Sequence, residues 1–281
     1  MSADHTPLFR FGVIADPQYA DIAPNPETGR YYANSLQKLG DAIDTLNGED
    51  LAFIITLGDI IDRGWDSFDA ILPLFEKSRH ERFFLLGNHD FAVQEDRLEN
   101  VCARVGMSAS YYDFARGGLR FVCLDGNDVS TFAPPPGDPR RALAEVRLQA
   151  LKDRGAINAY PWNASLSDTQ FDWLQGVLRK AEADGEQVIV MGHYPIYPVT
   201  THAMWDSQRI VALLSRSNSF LAYFNGHDHD GNFGEIDGRC FVNFKGMVDT
   251  ESDNTFAVVD VFADRLEIRG FGREASRTLK R

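Results

Sequence analysis

Five times in 281 residues a short apolar run ends, usually in glycine, and a potential metal ligand follows at once. Residues 13–15 lead to Asp16 and Gln18, and residues 54–57 to Gly58-Asp59 and then Asp62-Arg63. Residues 83–86 lead to Gly87-Asn88-His89-Asp90, and residues 188–191 to Gly192-His193. Residues 221–224 precede Asn225-Gly226-His227-Asp228-His229. Asp, Asn, Gln and His offer oxygen and imidazole donors, which suit Mn2+, Fe, Zn2+ or Mg2+ rather than thiophilic metals. One carboxylate can bridge two cations, and Asp59 stands in the bridging position. Two cations about 3.5–4 Å apart can clamp a phosphate and hold an activated water between them. A single Asp or His at a loop start reads more simply as a cap or turn former. Five such blocks read as a metal site.

Ligands placed this way need strands whose carboxyl ends meet in one crevice, as in open α/β sheets. Apolar runs predict strands over residues 9–15, 52–57, 82–86, 119–124, 187–191 and 220–224. Helical spacing predicts helices over 34–46, 67–77, 141–153 and 207–215. Ser167 and Gln170 form a capping box for one more, carrying Phe171, Leu174, Leu178 and Ala181. The C-terminal part predicts hairpins, 234–236 with 239–244 around Asp237-Gly238, and 257–262 with 265–269 around Ala263-Asp264. Pro134, Pro135, Pro136 and Pro139 mark a surface loop rather than a boundary, because one site must gather motifs from Asp16 to His229. Residues 1–281 are therefore expected to form one domain.

The five blocks resemble the calcineurin-like metallophosphoesterase superfamily, whose usual pattern is D-x-H, G-D-x-x-D, G-N-H-D/E, G-H and G-H-x-H. Here they read Asp16-Pro17-Gln18, residues 58–62, residues 87–90, Gly192-His193 and residues 226–229. Gln18 stands where most of the superfamily has His. With residues 11–20, 31–42, 119–128, 163–174 and 265–279, that substitution is similar to the Mn2+-dependent ADP-ribose/CDP-alcohol diphosphatase branch.

The resemblance implies an α/β fold, a four-layer α/β/β/α sandwich with mixed sheets. It implies that Asp16, Gln18, Asp59 and His229 hold one metal and that Asp59, Asn88, His193 and His227 hold the other. His89 is expected to protonate the leaving oxygen, oriented by Asp62. Arg63 is expected at a phosphoryl oxygen, and Asn163 and Tyr194 elsewhere on the substrate. The neutral amide oxygen of Gln18 makes a harder, less tightly held first site, which favours two Mn2+ over Zn2+. The implied activity is dinuclear-metal hydrolysis of a phosphoester or phosphoanhydride, with small nucleoside diphosphate compounds such as ADP-ribose or CDP-alcohols as substrates. The alternatives are a cyclic-nucleotide phosphodiesterase or phosphomonoesterase on the same centre, and a non-catalytic scaffold with the same fold.

Charge bounds the partners. With 28 Lys plus Arg against 41 Asp plus Glu, the net charge is −13. That excludes the broad basic face which nucleic acid or an anionic membrane requires, and suits a small phosphorylated substrate. Cys102, Cys123 and Cys240 are scattered, as reduced thiols are. Residues 1–7 show no signal-peptide pattern, and the apolar run at 51–57 is too short to span a bilayer. A cytoplasmic location is expected.

The bland readings matter as well. His5, His80 and His202 match no motif and read as surface or packed histidines. Asp90 and Asp228 read as support or turn residues. Arg140 and Arg141 read as a solvated pair, and the acidic run 249–253 as an exposed loop. Tyr19, Phe91, Trp162, Tyr194 and Trp205 flank the motifs and are able to stack on a base or ribose. Taken singly, each reads better as packing.

Overall fold

Strands that are apolar on both faces must be covered on both faces. Here that requirement produces two six-stranded sheets stacked against each other, with helices on both outer surfaces. The computed structural model describes residues 6–281, so His5 lies outside the described residues.

In the first sheet, β1 (Phe9–Ile14), β2 (Phe53–Leu57) and β3 (Glu81–Leu85) are parallel. They are joined through α1 (Ser35–Asn47) and α2 (Ser67–Glu76). The sheet continues antiparallel through β10 (Thr255–Val261), β11 (Arg265–Gly272) and β12 (Arg277–Lys280), which follow on from β1. In the second sheet β5 (Leu119–Cys123), β6 (Gln187–Met191), β7 (Phe220–Asn225) and β9 (Arg239–Asn243) run parallel. Antiparallel β4 (Tyr112–Arg116) and β8 (Asn232–Ile236) close its two edges. Three longer helices accompany this half: α4 (Pro139–Asp153), α5 (Asp168–Asp184) and α6 (Ser207–Arg216), while α3 (Val101–Arg104) is one turn.

Alternation along each strand sorts the core into layers. Phe11, Phe53, Phe121 and Phe224 lie between the sheets. Phe11 stacks on Phe53 at 5.0 Å, and Phe121 meets both rings edge-on at 5.4 and 5.0 Å. On the outer face of the first sheet, Ile14, Ile54 and Val258 receive Leu39, Ile43 and Leu46 of α1. On the second, Val122, Val188 and Val190 receive Leu174 and Leu178 of α5 and Ile210 and Leu214 of α6. The four-layer α/β/β/α arrangement with mixed sheets follows.

Some local expectations change. The sequence pattern does not mark β4 or β12. Tyr112 and Phe114 alternate with Asp113 and Ala115, and the turn that returns the chain into β5 is Gly117-Gly118, both at positive φ. Helix α4 starts at Pro139, not at Arg141. Proline suits a first turn, where its missing N–H has no helical partner, and the Asp138 side chain caps it by accepting from the Arg140 N–H at 2.8 Å. Arg140 and Arg141 are not a solvated pair. Arg140 reaches Asp138 and Asp128, and Arg141 reaches the carbonyls of Pro134 and Phe132. Both C-terminal hairpins form, the first on Asp237 at φ +50° and Gly238 at φ +79°. All three cysteines are free, and among the described residues no helix is long and apolar enough to cross a membrane.

Candidate metal centre

The loops after β1, β2 and β3 meet the loops after β6 and β7. Two ligand clusters result, and both contain Asp59. The ligand atoms of Asp59, His193 and His227 lie within 4.8 Å of one another, as do those of Asp16, Asp59 and His229. Asn88 Oδ1 lies 3.3 Å from His193 Nε2, which adds it to the first cluster. Asp16 and Asp59 are buried, as are His193 and His227.

Each histidine is held by the nitrogen that faces away from its cluster. His193 Nδ1 lies 2.8 Å from the Leu57 carbonyl oxygen, which only accepts, so Nδ1 carries the proton and Nε2 keeps its lone pair for a cation. His227 Nε2 lies 3.1 Å from Asn163 Oδ1, while the Asn163 amide nitrogen donates to the carbonyls of Asn158 and Thr201. The Asn163 oxygen therefore accepts, and His227 Nδ1 is free to ligate. His229 Nδ1 lies 2.9 Å from Asp249 Oδ1, which leaves Nε2 for the cluster. Partners of this kind fix ring orientation and raise ligand basicity.

Gln18 is held in the same manner. Its amide nitrogen donates to Asp62 Oδ1 at 2.8 Å, and its Oε1 is buried with no hydrogen-bond partner. Asp59 Oδ2 is likewise buried without a hydrogen bond, 3.4 Å from His193 Nε2, while its Oδ1 accepts from the His89 N–H. A buried polar atom left bare costs on the order of 1–3 kcal/mol, and a cation beside it removes that cost. These two oxygens fit the residues to divalent metal. Backbone strain marks the same places: Asp16, Gln18, Asp59 and His227 have φ between +46° and +68°. Strain of about 1–3 kcal/mol per residue persists only where the surroundings enforce it.

The charges conflict in a way that cations resolve. Burial pushes the Asp16 carboxyl up to about 6, against the pull of His229 and His193. Burial would lower His193, yet Asp59 and Asp16 hold it up at about 9. Burial would raise Asp59, but His193 and His89 keep it well below the usual carboxylate range. His227 is driven well below its ordinary value by burial and by His193, which suits a neutral candidate ligand. Without metal, the carboxylates draw their countercharge from protonated His193. At these residues a divalent cation would take over that charge, with His193 then neutral.

The site opens into a cavity of about 390 Å³, lined by Asp59, Asn88, His89, His227 and His229 together with Arg30, Trp162 and His202. A larger hollow of about 700 Å³, lined by Arg147, Trp205 and Arg209 among others, contains none of these ligands. Three expected substrate contacts sit elsewhere. Arg63 Nε bonds Asp62 Oδ2 at 2.5 Å, and Arg63 is not among the residues lining this cavity. Tyr194 has no exposed surface: its hydroxyl donates to Asn127, and its ring packs edge-on against His193 and His227. Asn163 is also fully buried and orients His227 instead of facing substrate.

Sequence reasoning missed Arg30 and His202 as cavity residues and Asp249 as the partner of His229. No motif spacing marks them, and only the fold brings them in. Asp90 does act as support, accepting from the N–H groups of Ile60, Ile61 and Gly87. His80 is a partly buried histidine bonded to the Leu46 carbonyl.

Comparison with known proteins fits this geometry. A family model described as calcineurin-like phosphoesterase matches residues 9–231. A manganese-dependent ADP-ribose/CDP-alcohol diphosphatase of Arabidopsis thaliana is 30% identical, covering 98% of this chain and 98% of its own. The Mus musculus protein of that name is 28% identical, covering 97% of this chain and 93% of its own. The crystal structure of a dimetal phosphatase from Danio rerio is similar with a TM-score of 0.87 and 25% identity, over 98% of this chain and 99% of that one. Fold and ligand set together define a metal-dependent phosphohydrolase. The chain belongs to the calcineurin-like phosphoesterase family.

The hold on His227 yields a direct test. Asn163→Ala removes the acceptor that fixes its tautomer and is expected to weaken Mn2+ binding about 10–100-fold. Titration calorimetry with Mn2+, alongside a thermal melt of the apoprotein, checks this. Unchanged metal affinity would remove Asn163 from the centre.

Proposed function

We propose that this chain hydrolyses the diphosphate bridge of small nucleoside diphosphate compounds, ADP-ribose and CDP-alcohols among them, using two Mn2+ ions. The observation that carries the hydrolase is the meeting of two ligand clusters at Asp59 beside His89. The substrate class is supported by likeness, over nearly the whole chain, to proteins named for that activity. A net charge of −13 agrees with a small substrate and disfavours long polyanions. We read residues 1–281 as one domain, and the scattered free thiols support a cytoplasmic setting.

Asp16, Gln18, Asp59 and His229 would hold one cation, and Asp59, Asn88, His193 and His227 the other. When bound, such a pair polarises phosphoryl oxygens and acidifies water. The chain's own groups do the rest. His89 Nδ1 lies 3.1 Å from the Asp62 carbonyl oxygen and 3.2 Å from Asp62 Oδ1, so it donates to Asp62. Nε2 is then the atom that gives a proton to the leaving oxygen. Asp62 is fixed by Gln18 and Arg63, so one carboxylate aims both a metal ligand and the acid. Arg30 and His202 are the donors left in the cavity for phosphoryl oxygens.

A substrate panel with Mn2+ tests the reading. ADP-ribose and CDP-choline are expected to turn over faster than cyclic AMP or a simple monoester. The reverse order would favour the phosphodiesterase or phosphomonoesterase alternative, and a metal-free, inactive chain would favour the scaffold. The role of His89 is tested by pH. Burial would lower its pKa, but Asp59 and Asp62 hold it above the ordinary 6.5. An acid must be protonated, so activity falls as pH rises through that pKa. Asp62→Asn removes part of the hold and is expected to move the alkaline limb of kcat/KM to lower pH. An unmoved limb would separate His89 from proton donation.

A further inference from the structure

Of the five aromatic residues flanking the motifs, Trp162 alone lines the metal cavity. It is 40% exposed. One face is covered. The Tyr160 ring stacks on it with centroids 4.2 Å apart and planes 17° from parallel.

The segment carrying both rings is pinned on either side. Ahead of Trp162, the Tyr160 carbonyl accepts from the buried Trp205 indole N–H at 3.1 Å, and Pro161 fixes one backbone angle. Behind it, Asn163 is buried and bonded to Asn158, Thr201 and His227. The residue adjacent to Trp162 therefore touches a metal ligand directly. A platform held this firmly loses little freedom when something stacks on it.

We propose that Trp162, backed by Tyr160, is the platform on which the substrate's nucleobase stacks while its phosphates lie at the metal centre. The proposal rests on the nucleoside diphosphate reading given above. The remaining cavity side chains are the metal ligands and His89, with the cationic or imidazole groups of Arg30 and His202. Asn88 brings the one amide, and it belongs to the ligand cluster. With Arg30 and His202 given to the phosphoryl oxygens, the base is held by its face. Every base has such a face, so purines and pyrimidines bind alike.

Calorimetry with Mn2+ present, using AMP, CMP and ribose 5-phosphate as probes, tests this. Wild type is expected to bind AMP and CMP comparably and ribose 5-phosphate more weakly. Trp162→Ala is expected to weaken AMP and CMP by about five- to a hundredfold, the measured range for losing one stacked base, and to leave ribose 5-phosphate unchanged. Trp162→Phe keeps a ring and is expected to keep most of the affinity. AMP binding that survives Trp162→Ala would overturn the platform. So would a wild type that binds ribose 5-phosphate as tightly as AMP, or a Trp162→Ala protein that loses all three probes equally. The two readings separate cleanly. Loss of AMP binding in a protein that never cleaves ADP-ribose keeps the platform and rejects the diphosphatase. Cleavage of ADP-ribose with unchanged KM in Trp162→Ala does the reverse.

Discussion

Asp59 must serve two ligand clusters with one buried carboxylate, and much of the surrounding structure is shaped by that demand. Its Oδ1 is fixed by the His89 N–H, and its Oδ2 lies 3.4 Å from His193 Nε2 without a hydrogen bond. Space around it is tight. A methyl group at Gly87 would overlap Asp59 Oδ1, and one at Gly226 would overlap Asp16 Oδ2. Glycine before a ligand is thus a requirement of crowding as much as of turning.

The fold meets the demand with rigidity. Phenylalanine rings from both sheets interlock between them, so the strand ends that carry the ligands have little room to shift. Asp90, in the loop after β3, ties it to the loop after β2 through the N–H groups of Ile60 and Ile61. Lys38, buried under the loop at 249–250, donates to the carbonyls of Asp249 and Thr250 and steadies the residue that orients His229. This support lets four ligand positions keep backbone angles that most residues avoid.

How much of this is legible in the sequence depends on distance along the chain. Ligands such as Asp59 and His193 are readable because each follows an apolar strand within a few residues. The buried strands and the Asp237-Gly238 hairpin are readable for similar local reasons. Strand β4 is not, because its alternation is weak and half exposed. Supports such as Asp249 and Arg30 are not either, since they join the site only through long-range folding. Asn163 and Tyr194 lie in the expected neighbourhood, but both are fully buried. Position beside a motif does not reveal whether a side chain faces substrate or packs beneath the ligands, and burial decides that. Trp162 shows the converse, an aromatic that reads as packing until the fold places it in the lining of the cavity.

The central claim is that two cations share Asp59. Anomalous diffraction from crystals grown with Mn2+ tests it most directly. The account requires two peaks about 3.5–4 Å apart. Both should contact Asp59, one with Gln18, Asp16 and His229, the other with Asn88, His193 and His227. A single peak, or a pair with Gln18 Oε1 turned away from both, would contradict it.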